Sequence, residues 1–247
     1  AWLGEGPAHW EVKRLKNVFT LNPSKQESLV TADNSDKVVF LPMENVSTDG
    51  HIECSQRLPI GSVRNGFTYF KRGDVLVAKI TPCFENGKGA CVDNLDTDFG
   101  FGSTEFIVLR ANSQVLPNYL YLLTAAPMFR IIGADNMSGA AGQQRITTDF
   151  VRNFEVGIPP ITEQQQILDY LAAETRLLDE TTSRAQREIE LIQEYRTRLV
   201  ADVVTGRVDV RGLTIAAGGA DDSALGLPDE EEAAEEELLE ETAETDG

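Results

Sequence analysis

The amino-acid sequence predicts an α+β protein, in which a globular domain with a mixed sheet is followed by one long α-helix of the coiled-coil type. Residues 8–160 contain short apolar runs separated by turn-forming residues, without the regular strand–helix alternation typical of a parallel sheet. Residues 163–205 contain neither proline nor glycine, which favours a single uninterrupted helix.

The globular domain contains three runs with the length and composition of strands. β-Branched and apolar residues dominate residues 37–43, 74–80 and 105–110. Asparagine or aspartate followed by glycine indicates a tight turn between such strands. These pairs occur at Asp49-Gly50, Asn65-Gly66 and Asn86-Gly87.

Two further segments precede the long helix. Residues 117–132 are predicted to form one helix, because Pro117 suits a first helical position and apolar residues recur near the helical period. Residues 136–147 are rich in glycine and in polar side chains, which predicts a loop.

The long helix is predicted over residues 161–206. Thr162 and Gln165 match a capping box at its start, and Gly206 is a typical helix terminator. Alternating steps of three and four residues pass through eleven positions, eight of them apolar, so the repeat is a heptad. The apolar residues of this seam are Leu168, Leu171, Leu178, Ala185, Ile189, Ile192, Leu199 and Val203. An apolar edge on a helix requires a partner, either another helix or the chain's own globular domain.

These features predict four segments along the chain. They are a globular domain over residues 1–160, the long helix over 161–206, a short segment over 207–213 and an acidic tail over 214–247. The tail holds thirteen of the 40 acidic residues and no basic residue, and we expect it to be disordered because it cannot bury enough apolar surface. Without the tail, 22 basic and 27 acidic residues leave a net charge of −5 in place of −18, so the overall acidity says little about what the globular domain binds.

The sequence lacks the motifs of common catalytic sites. It contains no G-x-x-x-x-G-K-[ST] phosphate loop and no G-x-G-x-x-G after a strand. The Ile-Pro-Pro-Ile segment at 158–161 lacks the polar and aromatic residues of the similar amino-methyltransferase motif. Three cysteines without a C-x-x-C pair, and only His9 and His51, offer neither a zinc-type spacing nor a histidine-based triad. A binding module is therefore favoured over an enzyme, with no metal ion.

Two glycine-containing loops carry side chains suited to DNA. The first follows the strand predicted at 74–80, and the second lies within residues 136–147. Lysine can bind phosphate, asparagine and glutamine suit adenine, arginine suits guanine, and threonine suits a phosphate or a thymine methyl group. The predicted contact residues are Lys79, Thr81, Asn86, Lys88, Ser138, Gln143, Gln144 and Arg145. The alternative interpretation is two solvated turns.

Several segments, in the same order, resemble the specificity subunits of type I restriction-modification systems. They are residues 2–19, 73–90, 102–110, 142–147, 158–168 and 194–211. The similarity covers about residues 2–211, and the acidic tail lies outside it.

This resemblance implies a subunit without a catalytic centre. No segment resembles a signal peptide and no apolar run approaches the length needed to cross a bilayer, so we expect the protein in the cytoplasm. The globular domain would be a target recognition domain that reads one part of a split DNA site, and the long helix would be a spacer and a docking surface. The implied partners are double-stranded DNA, modification subunits that methylate adenine with S-adenosylmethionine, and a restriction subunit. S-adenosylmethionine, ATP and Mg would belong to those partners, and this chain would need no cofactor.

Members of that family usually carry two recognition domains and two helical regions, whereas this chain has one of each. Two arrangements stay open: a half-length subunit that forms an antiparallel homodimer through the 163–205 seam, or one half of a longer chain. Two other functions also stay open. One is a recognition domain in another methyltransferase or nuclease arrangement, and the other is an inhibitory protein whose acidic tail mimics DNA.

Overall fold

The structure is a computed structural model that describes residues 6–30, 32–140 and 142–211. The disorder predicted for residues 214–247 therefore concerns a segment outside the described residues. The chain divides into two compact units, residues 1–181 and 182–247, and the second unit begins within the long helix.

Short strands and helices alternate irregularly along the described residues. The strands are β1 (Glu11–Arg14), β2 (Phe19–Leu21), β3 (Lys37–Leu41), β4 (Arg57–Pro59), β5 (Thr68–Lys71), β6 (Asp74–Ala78), β7 (Gly89–Cys91), β8 (Phe99–Gly102), β9 (Phe106–Ala111), β10 (Met137–Ser138), β11 (Arg145–Ile146) and β12 (Glu155–Ile158). The helices are α1 (Gln26–Leu29), α2 (Ile60–Val63), α3 (Pro117–Ala125), α4 (Pro127–Asp135), α5 (Thr148–Asn153) and α6 (Ile161–Val204).

Two four-stranded sheets form the centre of the first unit. One has the strand order β2-β9-β6-β7 and is antiparallel, and the other has the order β4-β3-β8-β5, with β3 and β8 parallel. Two smaller antiparallel pairs, β1 with β12 and β10 with β11, complete the strands of the described residues. The mixed sheet and the long C-terminal helix confirm the predicted α+β fold.

The central strands β6 and β9 are buried on both faces. Val75 and Val77 of β6 belong to one core cluster together with Leu120 of α3, whereas Leu76 belongs to another with Val39 of β3. Successive side chains of a strand point to opposite faces, so a strand covered on both sides needs a continuous apolar run. This explains why the run at 74–80 was recognisable as a strand.

A buried ion pair joins these two central strands. Asp74 of β6 lies directly opposite Arg110 of β9, and both carboxylate oxygens accept from the guanidinium at 2.7 Å. The backbone N–H of Lys71 also donates to Asp74, at 2.8 Å. Arg110 further contacts Glu27 of α1, which accepts from the Tyr69 hydroxyl at 3.0 Å. The pair therefore fixes β5, β6, β9 and α1 to one another.

The single helix predicted at residues 117–132 is wrong, because the segment forms two helices. α3 ends at Ala125 and α4 begins at Pro127, with Ala126 between them at φ −57° and ψ 135°. Proline has no N–H to continue a helix and forces the preceding residue towards extended backbone. The apolar period continues through the break, so periodicity alone could not reveal it.

The loop predicted at residues 136–147 is only partly correct. Its ends, β10 and β11, pair as an antiparallel hairpin with Met137 opposite Ile146 and Ser138 opposite Arg145. Strands of two residues carry no periodic signal, so the hairpin depends on its contacts with the rest of the domain.

The long helix is confirmed, but the predicted capping box is wrong. The backbone N–H groups of Glu163 and Gln164 donate to the Pro160 carbonyl at 2.9 and 3.0 Å, so the helix begins at Ile161 and Thr162 lies inside it. The Gln165 side chain instead donates to Asp169 at 2.8 Å. At the other end Gly206 adopts φ 74°, which is the left-handed conformation expected of a glycine terminator.

A buried glutamine attaches the start of α6 to the sheet domain. The Gln164 side chain is fully buried; its oxygen accepts from the Leu116 N–H at 2.8 Å, and its nitrogen donates to the carbonyls of Gln114 and Pro159 at 2.9 Å each. The neighbouring Glu163 accepts from His9 at 2.7 Å and from the Trp10 indole at 3.0 Å. The side-chain oxygen of Gln164 thus has a donor and its side-chain nitrogen has two acceptors. These hydrogen bonds fix the first turn of the helix.

Candidate nucleic-acid interface

The structure brings the two predicted DNA-contact loops together. The Thr81 N–H donates to the Gln144 carbonyl at 3.0 Å, and the Gln144 N–H donates to the Thr81 hydroxyl at 3.1 Å. The Ile146 N–H donates to the Lys79 carbonyl at 2.9 Å, and Ile80 and Arg145 form an isolated antiparallel bridge. Two loops 63 residues apart in the sequence are therefore joined by their backbones.

The remaining predicted residues lie next to this junction. Lys88 accepts from the Ala78 N–H at 3.0 Å through its carbonyl, which places it beside the end of β6. Ser138 pairs with Arg145 across the hairpin, and the Gln143 carbonyl accepts from the Arg145 guanidinium at 3.0 Å. Asn86 belongs to the same turn as Thr81, since its N–H donates to the Pro82 carbonyl at 2.9 Å. All eight predicted residues are thus neighbours in one region.

The first loop is held in place by one of its own side chains, an aromatic residue buried in the core. Phe84 is buried and its ring lies 6.0 Å from that of Phe129 in α4. A Cβ at Gly133 would lie 2.3 Å from the Phe84 ring, so this helix position has room only for glycine. Gly87, at φ 78°, closes the turn that the Asn86-Gly87 pair predicted. The loop therefore presents its polar residues from a fixed backbone.

The second loop is anchored at both ends. Ile146 is buried, and the Thr147 hydroxyl accepts from the Phe150 N–H at 3.1 Å, which caps the first turn of α5. Gly139 adopts φ 127°, and a Cβ there would lie 2.9 Å from the Gln143 carbonyl oxygen. The hairpin tip thus requires glycine where its two strands approach each other.

An acidic residue that the sequence reasoning missed, Glu105, connects the cations of this region. Its carboxylate accepts from Arg145 Nε at 2.9 Å and from Nη2 at 2.8 Å, and Lys79 Nζ lies 4.0 Å away. The hydrogen bonds from Arg145 hold the pKa of Glu105 below its usual value, and the carboxylate raises the pKa of Arg145. A carboxylate is not expected at a surface that binds DNA phosphates, so residue type gave no reason to predict Glu105. The sequence feature that could have pointed to it is its position directly before the strand in the 102–110 segment.

The predicted residues differ in whether their side chains already have partners. Besides Arg145, the Thr81 hydroxyl is used by Gln144, and Lys88 Nζ donates to the Met43 carbonyl at 3.3 Å. Among the eight predicted residues, four uncharged side chains make no hydrogen bond to the described part of the chain: Asn86, Ser138, Gln143 and Gln144. These four amide and hydroxyl groups are therefore free to meet base edges or phosphates.

An aromatic side chain at the same end of the sheets was also missed. Thr68 lies opposite Gly102 and Ala78 lies opposite Phe106, so the start of β5 and the end of β6 flank the same β8–β9 turn. Phe67, just before β5, is 39% exposed and packs edge-on against Phe40 at 4.9 Å. A phenylalanine at this place could contact a thymine methyl group.

An open cleft of about 850 Å³ beside α1 and β3 is a weaker candidate for binding DNA. Its ionisable lining comprises four acids and three bases: Glu27, Asp36, Asp96, Asp98, Lys37, Lys71 and Arg72. The lining has one more acidic than basic residue, and this net negative charge disfavours binding of a DNA phosphate backbone. Across the described residues, no three His, Cys, Asp or Glu side chains come together as a metal site.

The seam of α6 is largely uncovered. Leu168 packs partly against the core of the first unit, and Val203 is half-buried. Every residue from 169 to 201 is exposed, including Leu171, Leu178, Ala185, Ile189, Ile192 and Leu199. This apolar edge has no covering element among the described residues, and none of the helices in those residues is both long and apolar enough to cross a membrane.

Comparison with known proteins gives a consistent result. The sequence matches the family described as Type I restriction modification DNA specificity domain over residues 7–191. It is 32% identical over 199 residues to the Type I restriction enzyme EcoEI specificity subunit of Escherichia coli, covering 80% of this chain and 33% of that protein. It is 33% identical over 193 residues to the corresponding EcoAI subunit, also of Escherichia coli, covering 77% and 32%.

The fold is also similar to a solved structure. The HsdS subunit from Thermoanaerobacter tengcongensis superposes with a TM-score of 0.58 at 21% identity, over 86% of this chain and 53% of that one. This chain spans about a third of the length of the curated relatives it matches and about half of that structure.

Proposed function

The chain belongs to the type I restriction-modification DNA specificity family, and on that premise we propose that it is a DNA-recognition subunit without a catalytic centre. Its domain over residues 1–160 reads one part of a split target in double-stranded DNA. The observation that carries this proposal is the junction between Thr81 and Gln144, because it gathers two lysines, an arginine and four unpartnered polar side chains in one region.

The long helix is the docking element in this proposal. Its exposed seam contacts either a second copy of the chain, in an antiparallel homodimer, or the matching helix of a longer chain. Modification and restriction subunits supply the chemistry, so S-adenosylmethionine, ATP and Mg bind to them and not to this chain. The complex acts on DNA in the cytoplasm.

The primary test is selection of duplexes from a random DNA library by the full chain, with and without a modification subunit. The proposal expects enrichment of one sequence, and sequencing of methylated bases in cells with and without the gene would report the same site. Enrichment of no sequence under either condition would contradict the proposed function.

Removing two lysines of the interface should weaken binding to every sequence equally. The double variant Lys79→Ala/Lys88→Ala loses two phosphate contacts, so the slope of log affinity against log salt should become less steep by about 2 units. Lys16→Ala/Lys37→Ala makes the same charge change at exposed lysines elsewhere and should leave the slope near that of the wild type. Titrations at several salt concentrations measure both. Equal slopes for the two double variants would show that Lys79 and Lys88 do not contact DNA.

Removing an unpartnered amide should instead relax the sequence preference at a single base pair. Gln144→Ala deletes a side chain that can bond bidentately to adenine, and discrimination at one position should fall by about 1–3 kcal/mol. Gln166→Ala removes an exposed glutamine of α6 and serves as the control. The check is competition binding with every single-base variant of the selected site. An unchanged preference at all positions would remove Gln144 from the interface.

A further inference from the structure

Among the described residues, the contacts of Arg145 leave two of its guanidinium N–H donors without an acceptor. The group has five N–H donors in a planar fork. Nε and one N–H of Nη2 donate to Glu105, and one N–H of Nη1 donates to the Gln143 carbonyl. Within the described residues, one N–H on Nη1 and one on Nη2 are left over. One free N–H on each terminal nitrogen of an arginine is the donor set that binds O6 and N7 of guanine.

We propose that Glu105 is a positioning residue that aims Arg145 at a guanine of the DNA target and makes that contact selective. This inference rests on the proposed function and adds to it the base that one side chain reads and the residue that holds it. Glu105 contacts no DNA itself; it acts through Arg145.

The first physical reason is preorganisation. A free arginine side chain samples many rotamers, and ordering it on binding costs free energy. The pair of charge-assisted bonds to Glu105 orders the guanidinium before DNA arrives. The backbone of Glu105 is itself held in place, because its carbonyl accepts from the Lys79 N–H at 2.9 Å. A base whose acceptor atoms lie elsewhere would therefore not form hydrogen bonds with the ordered guanidinium of Arg145.

The second reason is charge. Lys79, Lys88 and Arg145 carry three positive charges, and Glu105 lies against two of them. Its negative charge weakens the attraction of this region for any phosphate, whatever the sequence. The carboxylate thus lowers non-specific affinity while it orients the donors that read a base, and both effects increase the ratio of specific to non-specific binding.

Glu105→Gln should therefore shift the two kinds of binding in opposite directions. The amide cannot accept both guanidinium bonds, and the site gains one net positive charge. Affinity for random duplex should rise with a steeper salt dependence, whereas preference for the selected site should fall on the order of 10-fold. A variant that merely folded poorly would lose both kinds of binding. Glu155→Gln removes the exposed partner of Arg14, makes the same charge change and should leave the preference unaltered.

The guanine can be located by replacing each guanine of the selected site with 7-deazaguanine, which lacks the N7 acceptor. The wild-type chain should lose roughly 10-fold affinity at one position. Arg145→Ala and Glu105→Gln should both lose no further affinity at that position. Adding Glu105→Gln to Arg145→Ala should leave site preference as it is in Arg145→Ala alone, because Glu105 acts through the arginine.

The outcomes separate this inference from the proposed function. A wild-type chain that selects a site but tolerates 7-deazaguanine everywhere, or a Glu105→Gln variant that keeps full discrimination, overturns the role of Glu105 and leaves DNA recognition intact. A wild-type chain that selects no site overturns the proposed function itself.

Discussion

Asp74→Ala is expected to lower the free energy of unfolding by about 3 kcal/mol or more, because it leaves Arg110 partly buried without its main partner. Asp74 is 1% exposed and accepts three hydrogen bonds, two from Arg110 and one from the Lys71 N–H. These bonds to the carboxylate also raise the pKa of Arg110. Arginine stays protonated in proteins, so the variant cannot avoid the unpaired charge by deprotonating the guanidinium. The measurement is urea denaturation followed by circular dichroism.

A matched control distinguishes the buried pair from an ordinary surface pair. Asp96→Ala removes a carboxylate that contacts Arg57 but is mostly exposed, and it should lower the denaturation midpoint far less. Arg110→Met in addition to Asp74→Ala should recover part of the loss, since no charge is then left uncompensated. A denaturation midpoint for Asp74→Ala no lower than that of Asp96→Ala would show that the pair does not hold the strands together.

Leu178→Glu/Ile189→Glu is expected to abolish self-association through α6. Both side chains belong to the exposed seam, at 67% and 48% exposure in the single chain. In an antiparallel pair of helices they would be buried, and each carboxylate placed there costs several kcal/mol. Four such groups per dimer should weaken association by at least about a thousandfold. Light scattering over a range of protein concentrations measures the change.

Two negative charges elsewhere on the helix provide the comparison. Ser183→Glu/Thr197→Glu adds the same charge at exposed positions outside the seam and should leave association close to that of the wild type. Equal weakening by both double variants would argue against a contact along the seam. A wild-type chain that is monomeric at every concentration would favour the other arrangement, in which the seam meets a helix of the same longer chain.

The sequence was sufficient to predict some residues of the candidate site but not others. Lys79, Gln144 and Arg145 were predicted from their side-chain chemistry as suited to DNA, and the structure places them beside one another. It did not nominate Glu105 or Phe67, because neither type indicates DNA binding unless its neighbours are known. Glu105 has meaning only beside Arg145, forty residues further along the chain.

The sequence by itself determined the kinds of elements and the residue types available for recognition. β3, β6, β9 and α6 were predictable because burial and heptad spacing leave periodic patterns that a local stretch carries alone. Only the tertiary structure decided the break at Ala126, the β10–β11 hairpin and the meeting of Thr81 with Gln144. These features depend on contacts between distant segments, which form when the core closes and whose stabilisation no local pattern encodes.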